Sequence, residues 1–368
     1  PLSWRRRTCH PFPGIARNRE REVPVLKICI ATDAWTPQVN GVVRTLTETE
    51  RRLRKMGHEI FLLTPERFAT VPCPTYREIR LAWSLWDVDR FLRDFLPDAV
   101  HIATEGPIGF SVRAWCLREG FPFTTSFTTR FPEYVRSRFG LSAELLYQGL
   151  RWFHAPSSAV MVATASLQEE LQGRGFANLV RWSRGVDTSL FCPSLPRHPV
   201  RNRPVFLYVG RVAVEKNLPA FLDLDLPGTK RVVGSGLDLE ALRRTYPAVE
   251  FSGTLEGLDL AQAYAEADVF VFPSKTDTFG IVMLEALACG TPVAAYPMTG
   301  PLDILRQNVT GVMDFDLRKA CLEALSLDRA ACRQDALLWS WDRCTRQFLE
   351  NLRPRSFSKL VHDPVGGM

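Results

Sequence analysis

Two carboxylates lie close together in residues 273–290, PSKTDTFGIVMLEALACG, where most of the other side chains are apolar or small. The apolar run 268–274, DVFVFPS, predicts a strand that ends here, and Gly280 is placed to begin a helix that is apolar around almost its whole circumference. Such a helix is normally buried. A buried carboxylate costs several kcal/mol unless it has a partner. We therefore expect Glu285, in the middle of this helix, to face a cation or a polar ligand, with Asp277 in the turn before it.

Each carboxylate has more than one conceivable role. The vicinal hydroxyls of a ribose would suit Glu285, because a carboxylate can accept two hydrogen bonds at once. A position on a solvent-exposed surface suits Glu285 less well, since its apolar neighbours leave little room for a polar helix face. For Asp277, and for Thr278 beside it, the alternative to ligand binding is a helix cap.

Two cations follow another predicted strand, in the stretch VGRVAVEKNL. Arg211 comes directly after the strand, and Lys216 comes just before the next helix. Ligands of open parallel sheets bind beyond the carboxyl ends of the strands. Two cations and a helix N-terminus at that place would attract a phosphate or a diphosphate. Surface Arg and Lys are common, so it is their position in the same half of the chain as Asp277 and Glu285 that favours an anion site.

A glycine occupies the equivalent place in the first half of the chain, in TDAWTPQVNGVV. Here Asn40 and Gly41 follow a strand and begin a helix. Glycine lets backbone N–H groups approach an anion at a helix N-terminus. A simple strand-to-helix turn explains Gly41 equally well.

Several signatures of other functions are missing from the sequence. It contains no Walker A motif, and VVGSG at 232–236 falls short of G-x-G-x-x-G, so the kinase, ATPase and dinucleotide-oxidoreductase classes lack their signatures. The nine cysteines are scattered and never spaced C-x-x-C, which favours a reducing compartment over a disulfide framework or a zinc site. No apolar run approaches the ~18 to 20 residues that a membrane span needs. We therefore predict a cytoplasmic protein without a cofactor.

Most of the net charge of +6 comes from residues 1–25, which hold six Arg and two Glu. The rest of the chain is close to neutral, so we predict no nucleic-acid partner. The first residues have no apolar h-region and are not a secretory signal. We expect them to be a disordered leader. Since residue 1 is Pro and not Met, this leader could be an upstream extension of the true reading frame. The alternative is a basic arm attracted to anionic lipid.

From residue 26 onward, β-branched runs alternate with helix-length segments in two series, which predicts parallel βαβ units covered on both faces. The Pro-rich stretch FCPSLPRHPVRNRP separates the two series and predicts a linker. We therefore predict two doubly wound domains that face each other across a cleft. The predicted segments are a leader (1–25), a first domain (26–190), a linker (191–204), a second domain (205–327), helices that return to the first domain (328–352) and a tail (353–368).

Three stretches together, PSKTDTFGIVMLEALACGTPVAA, VGRVAVEKNL and RGVDTSLF, resemble the retaining glycosyltransferases of family 4. The resemblance extends over nearly all of residues 26–352. It implies the GT-B fold of two Rossmann-like domains and transfer of a sugar from a nucleotide diphosphate donor with retention of anomeric configuration. The hallmark of that family is two acidic residues separated by seven others. Here Asp277 stands in place of the usual Glu, and Glu285 is the second.

The resemblance also implies roles for single residues. Arg211 and Lys216 would bind the donor diphosphate and stabilise its charge without a metal ion. Glu285 would bind the nucleotide ribose, Asp277 the hydroxyls of the transferred sugar, and Gly41 the phosphate from the opposite domain. The implied donor-binding set further includes Gly210, Phe279 and Gly280. Three Asp-x-Asp strings, Asp87/Asp89, Asp223/Asp225 and Asp314/Asp316, lie in helical or connecting segments, and we predict no metal site at them.

One position departs from the family pattern. In TTSFTTRFPEYVRSRFG, relatives carry a His that faces the donor sugar, and this chain has Thr128. Threonine can donate a hydrogen bond but cannot titrate near neutrality. The catalytic candidates are Asp277, Arg211, Lys216 and Thr128. The replacement of the family histidine by Thr128 could reduce transfer, alter the choice of donor, or abolish transfer. We expect His101, in the strand DAVHIAT, to be a satisfied core histidine rather than a substitute.

The stretches TDAWTPQVNGVVRT, HIATEGPIG, RFPEYVR and SKTDTFG are similar to a bacterial branch that glycosylates diacylglycerol. That branch includes glucuronosyl- and sulfoquinovosyl-diacylglycerol synthases beside α-mannosyltransferases. Residues 130–153 independently interleave Arg with aromatic side chains, which suits an anionic membrane surface. We predict that Arg130, Tyr134 and Arg136 lie on the acceptor and membrane side. The alternative is an ordinary amphipathic helix packed on the core.

These observations predict a peripheral enzyme at the inner face of the membrane. It would transfer a sugar from a UDP-linked donor such as UDP-glucuronate to a lipid acceptor such as diacylglycerol. One alternative is a GDP-mannose-dependent α-mannosyltransferase. Two others are a non-catalytic or hydrolytic GT-B protein that binds a nucleotide sugar, motivated by Thr128, and a GT-B epimerase that converts a UDP-sugar with no acceptor present.

Overall fold

The computed structural model describes residues 25–38, 40–73, 79–140, 142–193 and 203–355. Most of the predicted leader, most of the linker and nearly all of the tail lie outside the described residues. In the part of the chain that is described, no helix is long and apolar enough to cross a membrane.

The first half of the chain builds one parallel sheet with helices between its strands. Its elements are β1 (Lys27–Ala31), α1 (Gly41–Lys55), β2 (Glu59–Leu63), β3 (Thr70–Pro72), β4 (Arg80–Ala82), α2 (Val88–Phe95), β5 (Ala99–Ile102), α3 (Pro107–Arg118), β6 (Phe123–Phe127), α4 (Phe131–Phe139), α5 (Ala143–His154), β7 (Ala159–Val162), α6 (Ala165–Gly173) and β8 (Leu179–Arg181). Six of these strands form the sheet β2-β1-β5-β6-β7-β8, while β3 and β4 form a separate antiparallel pair.

The second half repeats this design. Its elements are β9 (Val205–Val209), α7 (Pro219–Leu222), β10 (Thr229–Val233), α8 (Leu239–Thr245), β11 (Glu250–Gly253), α9 (Gly257–Glu266), β12 (Val269–Phe272), α10 (Ile281–Ala288), β13 (Val293–Ala295), α11 (Pro301–Ile304), β14 (Gly311–Met313), α12 (Leu317–Ala324), α13 (Arg329–Ala336) and α14 (Trp341–Asn351). Six strands form the parallel sheet β11-β10-β9-β12-β13-β14. Short 3₁₀ helices cover Pro65–Arg67, Leu85–Asp87 and Val214–Lys216.

The central strands are short, apolar and buried on both faces. Every residue of β5, β7, β9 and β12 is buried. A parallel strand in this situation has no solvent face to keep polar, which is why its sequence is almost continuously hydrophobic. The predicted arrangement of two doubly wound parallel sheets is confirmed. The residue bounds predicted for the domains stay predictions.

Helix α10 is the buried helix that the sequence predicts. It packs against α9, α13, β12 and β13, and seven of its eight residues are buried. Apolar side chains all round the helix fill these contacts. As a result Glu285 is 1% exposed, and its carboxylate must find its partners inside the protein.

The last helix, α14, lies against the first half of the chain. It packs on α1, and its Phe348 ring lies 5.0 Å from the ring of Trp182, which directly follows β8. The amide oxygen of Gln347 accepts hydrogen bonds from the backbone N–H of Ser183 at 3.0 Å and from its hydroxyl at 2.7 Å. These contacts join the last helix to the first domain and help to hold the two sheets together.

Candidate active site at the facing strand ends

The strand order of the second sheet places the candidate site. The chain leaves β9 toward β10 on one side and reaches β12 on the other side of β9, so a crevice opens where β9 and β12 lie side by side. Arg211 follows β9, and Asp277 follows β12. Residues that are far apart in the sequence therefore meet at one edge of the sheet.

Lys216 and Asp277 form an ion pair at this edge. The Lys216 ammonium lies 2.5 Å from Asp277 Oδ1, and the two side chains are 15% and 16% exposed. Burial alone would raise the pKa of Asp277, but the ammonium beside it outweighs burial, and the pKa lies below the usual value. Burial would likewise lower the pKa of Lys216, but the carboxylate raises it above the usual range. Both groups therefore stay ionised at neutral pH.

Arg211 pairs with a carboxylate that the sequence analysis did not single out. Its guanidinium lies 3.3 Å from Glu215 Oε1, and the Glu215 side chain is 1% exposed. The backbone carbonyl of Arg211 accepts a hydrogen bond from the Tyr208 hydroxyl at 2.8 Å. Gly210 has φ +151°, and a Cβ there would lie 2.8 Å from the Tyr208 hydroxyl, so this turn favours glycine. The sequence could have indicated this ion pair, because Glu215 lies four residues after Arg211, a spacing that brings side chains together on a helical turn.

Both oxygens of the Glu285 carboxylate have protein partners. Oε1 accepts a hydrogen bond from the Arg44 guanidinium of α1, in an ion pair between the two domains. Oε2 accepts a hydrogen bond from the Tyr264 hydroxyl at 2.8 Å. Glu285 thus faces a cation, as expected, but the sequence identified neither Arg44 nor Tyr264 as its partner. Arg44 lies three residues after Gly41, and the helical spacing alone gave no reason to connect it with a residue 241 positions away.

The N-termini of α1 and α10 face each other. A Cβ on Gly41 would lie 3.7 Å from Ile281 Cδ1, at the start of α10. The residue before α10 is Gly280, at φ +92°, which offers no side chain as a cap. By contrast, Asn40 Oδ1 caps α1 by accepting the N–H groups of Val42 and Val43 at 3.0 Å. The uncapped end of α10 is therefore the better anion site of the two.

The turn before α10 does not use Asp277 or Thr278 as a cap, so that alternative is wrong. The Thr278 hydroxyl instead donates to the backbone carbonyl of Thr128 at 2.8 Å, across the cleft. The ring of Phe279 is 4% exposed and packs 5.7 Å from the ring of Trp339. Only the backbone of Phe279 is thus placed to contact a ligand.

Thr128 Oγ1, next to this turn, is buried and lacks a hydrogen-bond partner among the described residues. Ser274 Oγ and Asp277 Oδ2 are also buried, and the Ser274 hydroxyl helps to lower the pKa of Asp277 by hydrogen bonding to it. An unsatisfied buried polar atom costs about 1–3 kcal/mol. A buried atom of this kind at the cleft indicates a place for a polar ligand, and Thr128 is the position that departs from the family pattern.

The three residues predicted for the acceptor and membrane side separate in the structure. Arg130 is 8% exposed, and its guanidinium binds both carboxylate oxygens of Glu170, at 3.0 and 2.5 Å, and the Thr299 hydroxyl at 2.9 Å. Tyr134 is half-buried, its surroundings raise its pKa, and the charges of Lys216 and Asp277 act on it. The role of these residues on the acceptor and membrane side stays a prediction. Arg136 is exposed.

His101 has the core role that the sequence predicts. Its Nδ1 lies 2.9 Å from the Thr124 hydroxyl and its Nε2 lies 3.3 Å from the Ser126 hydroxyl. The ring is fully buried and meets the ring of Phe348 edge to face at 4.9 Å. Burial lowers its pKa to about 3. A neutral ring so enclosed cannot replace a histidine at position 128.

The Asp-x-Asp strings have local structural roles. Asp89 accepts a hydrogen bond from Arg93 at 2.8 Å, Asp316 caps α12, and Asp223 accepts one from the Tyr246 hydroxyl. Across the described ranges, His, Cys, Asp and Glu do not gather in a group of three or more that could hold a metal ion.

Comparison with known proteins agrees with this geometry. Residues 39–190 match the family described as Glycosyltransferase Family 4, and residues 203–325 match the one described as Glycosyl transferases group 1. The chain is 30% identical to a GDP-mannose-dependent alpha-mannosyltransferase of Mycobacterium tuberculosis, over 78% of this chain and 83% of that protein.

Two further relatives act on other substrates by name. A sulfoquinovosyl transferase of Arabidopsis thaliana is 32% identical over 75% of this chain and 60% of that protein. An alpha-monoglucosyldiacylglycerol synthase of Streptococcus pneumoniae is 23% identical over 82% and 78%. Among solved structures, sucrose-phosphate synthase from Thermosynechococcus elongatus superimposes with a TM-score of 0.71 at 20% identity, over 91% of this chain and 99% of that one, which shows the shared GT-B fold. With two facing Rossmann-like domains and a 30% identical relative matched over most of its length, the chain belongs to the family 4 glycosyltransferases.

Proposed function

We propose that this protein transfers a sugar from a nucleotide diphosphate sugar to a lipid acceptor such as diacylglycerol, with retention of anomeric configuration and without a metal ion. The observation that carries the proposal is the charged cluster at the ends of β9 and β12. Arg211 and Lys216 lie there beside the uncapped N-terminus of α10, and Glu285 lies one turn into that helix.

The cations of the cluster suit a diphosphate leaving group. Breaking the bond between sugar and phosphate leaves negative charge on the diphosphate, and preorganised cations stabilise that charge. Lys216 keeps its proton because Asp277 raises its pKa, and Arg211 is always charged. The N–H groups of α10 add donors at the same place.

Side-chain oxygens on both sides of the cleft suit the transferred sugar. Asp277 accepts hydrogen bonds from Lys216 at Oδ1 and from Ser274, and a carboxylate has further lone pairs with which to accept a sugar hydroxyl. Thr128 Oγ1, on the other side of the cleft, can donate to the same sugar. In this proposal Glu285 accepts the ribose hydroxyls, and Gly41 approaches the phosphate from the first domain.

Two donors are candidates. The resemblance to diacylglycerol glycosyltransferases favours a UDP-linked sugar such as UDP-glucuronate. The identity of 30% with a GDP-mannose-dependent alpha-mannosyltransferase favours GDP-mannose. Calorimetric titration with UDP and with GDP separates them, since the matching nucleotide should bind at least tenfold more tightly if the site is built to hydrogen-bond its base.

The lipid acceptor is supported by the name of the diacylglycerol synthase among the relatives. Arg136 is exposed on α4, and Phe131 and Trp152 are 53% and 59% exposed. Basic and aromatic side chains of this kind suit the headgroup region of an anionic membrane. We place the enzyme at the inner face of the membrane as a peripheral protein.

The decisive test is product formation. Purified protein is incubated with UDP- and GDP-linked sugars and with vesicles that contain diacylglycerol, and lipid products are identified by mass spectrometry. Transfer should occur in the wild type and fall at least 100-fold in Lys216→Met, because a cation at the leaving group is lost. If no donor in the panel releases UDP or GDP, the proposed transfer is wrong.

Thr128 supports one alternative, a protein that binds the nucleotide sugar without transferring it. The hydroxyl at this position cannot take up a proton near neutral pH as a histidine would. Thr128→His tests this. A large gain in transfer would identify a crippled enzyme, whereas an active wild type whose rate does not change would show that Thr128 is sufficient.

A further inference from the structure

The carboxylate of Glu285 is covered by a side chain from the opposite domain. The Arg44 guanidinium donates to Oε1, and the Arg44 side chain is 34% exposed while that of Glu285 is 1% exposed. Tyr264, which holds Oε2, is fully buried within the second domain. Arg44 therefore lies between the carboxylate and solvent, whereas Tyr264 lies behind it.

Arg44 and a ribose offer the same chemistry to this carboxylate. Both present polar hydrogens to an acceptor, N–H groups in one case and O–H groups in the other. A ribose cannot reach an oxygen that is 1% exposed while the guanidinium stays over it. We propose that Arg44 occupies the place of the nucleotide ribose at Glu285, that the nucleotide displaces it, and that Arg44 thereby sets the affinity and the ribose selectivity of the site. The inference rests on the proposed function, in which Glu285 binds the ribose.

The surroundings allow the guanidinium to move without unfolding the helix that carries it. The backbone of α1 is fixed one turn earlier, where Asn40 caps the helix by accepting the N–H groups of Val42 and Val43. The Arg44 side chain is long and partly exposed, and its guanidinium carbon lies 5.3 Å from the centre of the Phe191 ring. An aromatic face attracts a guanidinium, so this contact can persist when the guanidinium leaves Glu285.

Removal of the Arg44 side chain should strengthen nucleotide binding, and only for nucleotides whose ribose hydroxyls bind Glu285. In Arg44→Met the ribose displaces water instead of an ion-pair partner. We expect the affinity for UDP or GDP, whichever the wild type binds, to rise about fivefold, which corresponds to the loss of a partly exposed ion pair. The 2′,3′-dideoxy form of the same nucleoside diphosphate has no hydroxyls for Glu285 and does not displace Arg44. Its affinity should stay unchanged.

A neighbouring arginine provides the matched control. Arg52 is also on α1, and its guanidinium lies 2.9 Å from Asp342, at the start of α14. It does not contact Glu285. Arg52→Met therefore removes an arginine from the same helix, together with its ion pairs with Asp342 and Glu48, and it should leave the affinities for both nucleotides as in the wild type.

A second measurement uses the wild type and does not depend on the stability of Arg44→Met. The side-chain Nε–H signal of Arg44 is followed by ¹⁵N NMR and assigned with Arg44→Lys, which keeps the charge. Addition of the nucleoside diphosphate should move this signal and speed its exchange with water, and the dideoxy form should leave it in place.

The outcomes separate the inference from the function it rests on. Tighter binding of the ribonucleotide alone, with a displaced Arg44 signal, supports the inference. Weaker binding in Arg44→Met, an equal gain for the dideoxy form, or an Arg44 signal that ignores the nucleotide overturns it while the proposed function stands. If folded wild-type protein binds neither UDP nor GDP, it is the proposed function that fails.

Discussion

The ion pair between Lys216 and Asp277 gives the sharpest test of the site, through the substitution Asp277→Asn. The change keeps the shape of the side chain and removes its charge. It leaves the Lys216 ammonium, whose side chain is 15% exposed, without its carboxylate. We expect the free energy of unfolding to fall by about 3 kcal/mol at pH 7.

The magnitude follows from the geometry of the pair. With an effective dielectric constant of about 20, two charges at the observed 2.5 Å attract each other by about 7 kcal/mol. Desolvation of both groups cancels much of this attraction, and the remainder matches the roughly 3–5 kcal/mol lost when one partner of a buried pair is removed. The double variant Lys216→Met with Asp277→Asn carries no unpaired charge and should regain about 2 kcal/mol of that loss.

Urea denaturation measures these free energies, followed by tryptophan fluorescence and by circular dichroism so that coincident transitions justify a two-state treatment. Glu240→Gln is the matched control, because it breaks an ion pair with Arg243 of 2.9 Å whose side chains are 74% and 41% exposed. It should cost less than about 0.5 kcal/mol. If Asp277→Asn costs no more than Glu240→Gln, or if the double variant loses the full sum of its single changes, the pair does not stabilise the site as argued.

Three further predictions concern other residues. Glu285→Gln should weaken nucleoside diphosphate binding about tenfold, since hydrogen bonds to a charged acceptor are lost, and unchanged affinity in calorimetry would exclude a ribose contact. Arg136→Gln should reduce binding to anionic vesicles in a sedimentation assay about fivefold, as expected for one surface cation, whereas equal binding would place the membrane contact elsewhere. His101 has a pKa of about 3 in the folded protein against 6.5 as an ordinary value, so its protonation favours unfolding. The free energy of unfolding should therefore fall by about 1.4 kcal/mol per pH unit below pH 6.5. In His101→Asn, denaturation experiments from pH 7 to pH 4 should show a smaller fall in this free energy, because the group that takes up the proton is absent.

Sequence patterns predicted the fold because local and global signals agree. The buried strands are almost continuously apolar, and each is followed by a segment of helical length, so parallel βαβ units follow without any knowledge of distant contacts. The positions of Arg211 and Asp277 at strand ends follow from the same reasoning. The apolar circumference of α10 likewise made it certain that Glu285 needs a partner.

The partners themselves could not be predicted, because they depend on how the two domains meet. Arg44 reaches Glu285 from the other domain, and nothing in the helix pattern of α1 distinguishes Arg44 from the other arginines on its surface. The ion pair of Arg130 could not be predicted for the same reason. A basic residue near aromatic side chains has the composition of a membrane surface, but Glu170 on α6 holds Arg130 in a partly buried ion pair. Alternation of residue types shows which face is apolar and does not show which charges meet across a cleft.

The pairing of the site residues with one another explains how carboxylates can stay buried in the cleft without a ligand. Arg211 has Glu215, Lys216 has Asp277, and Glu285 has Arg44. Each of these charges would be costly if it were left alone in the cleft. A nucleotide sugar that enters such a site exchanges partners rather than adding them, so much of its hydrogen-bond energy replaces bonds that the protein already had. In the proposed function this arrangement would hold the site in shape between turnovers and would limit nucleotide affinity, which would favour release of the nucleotide once the sugar has left it.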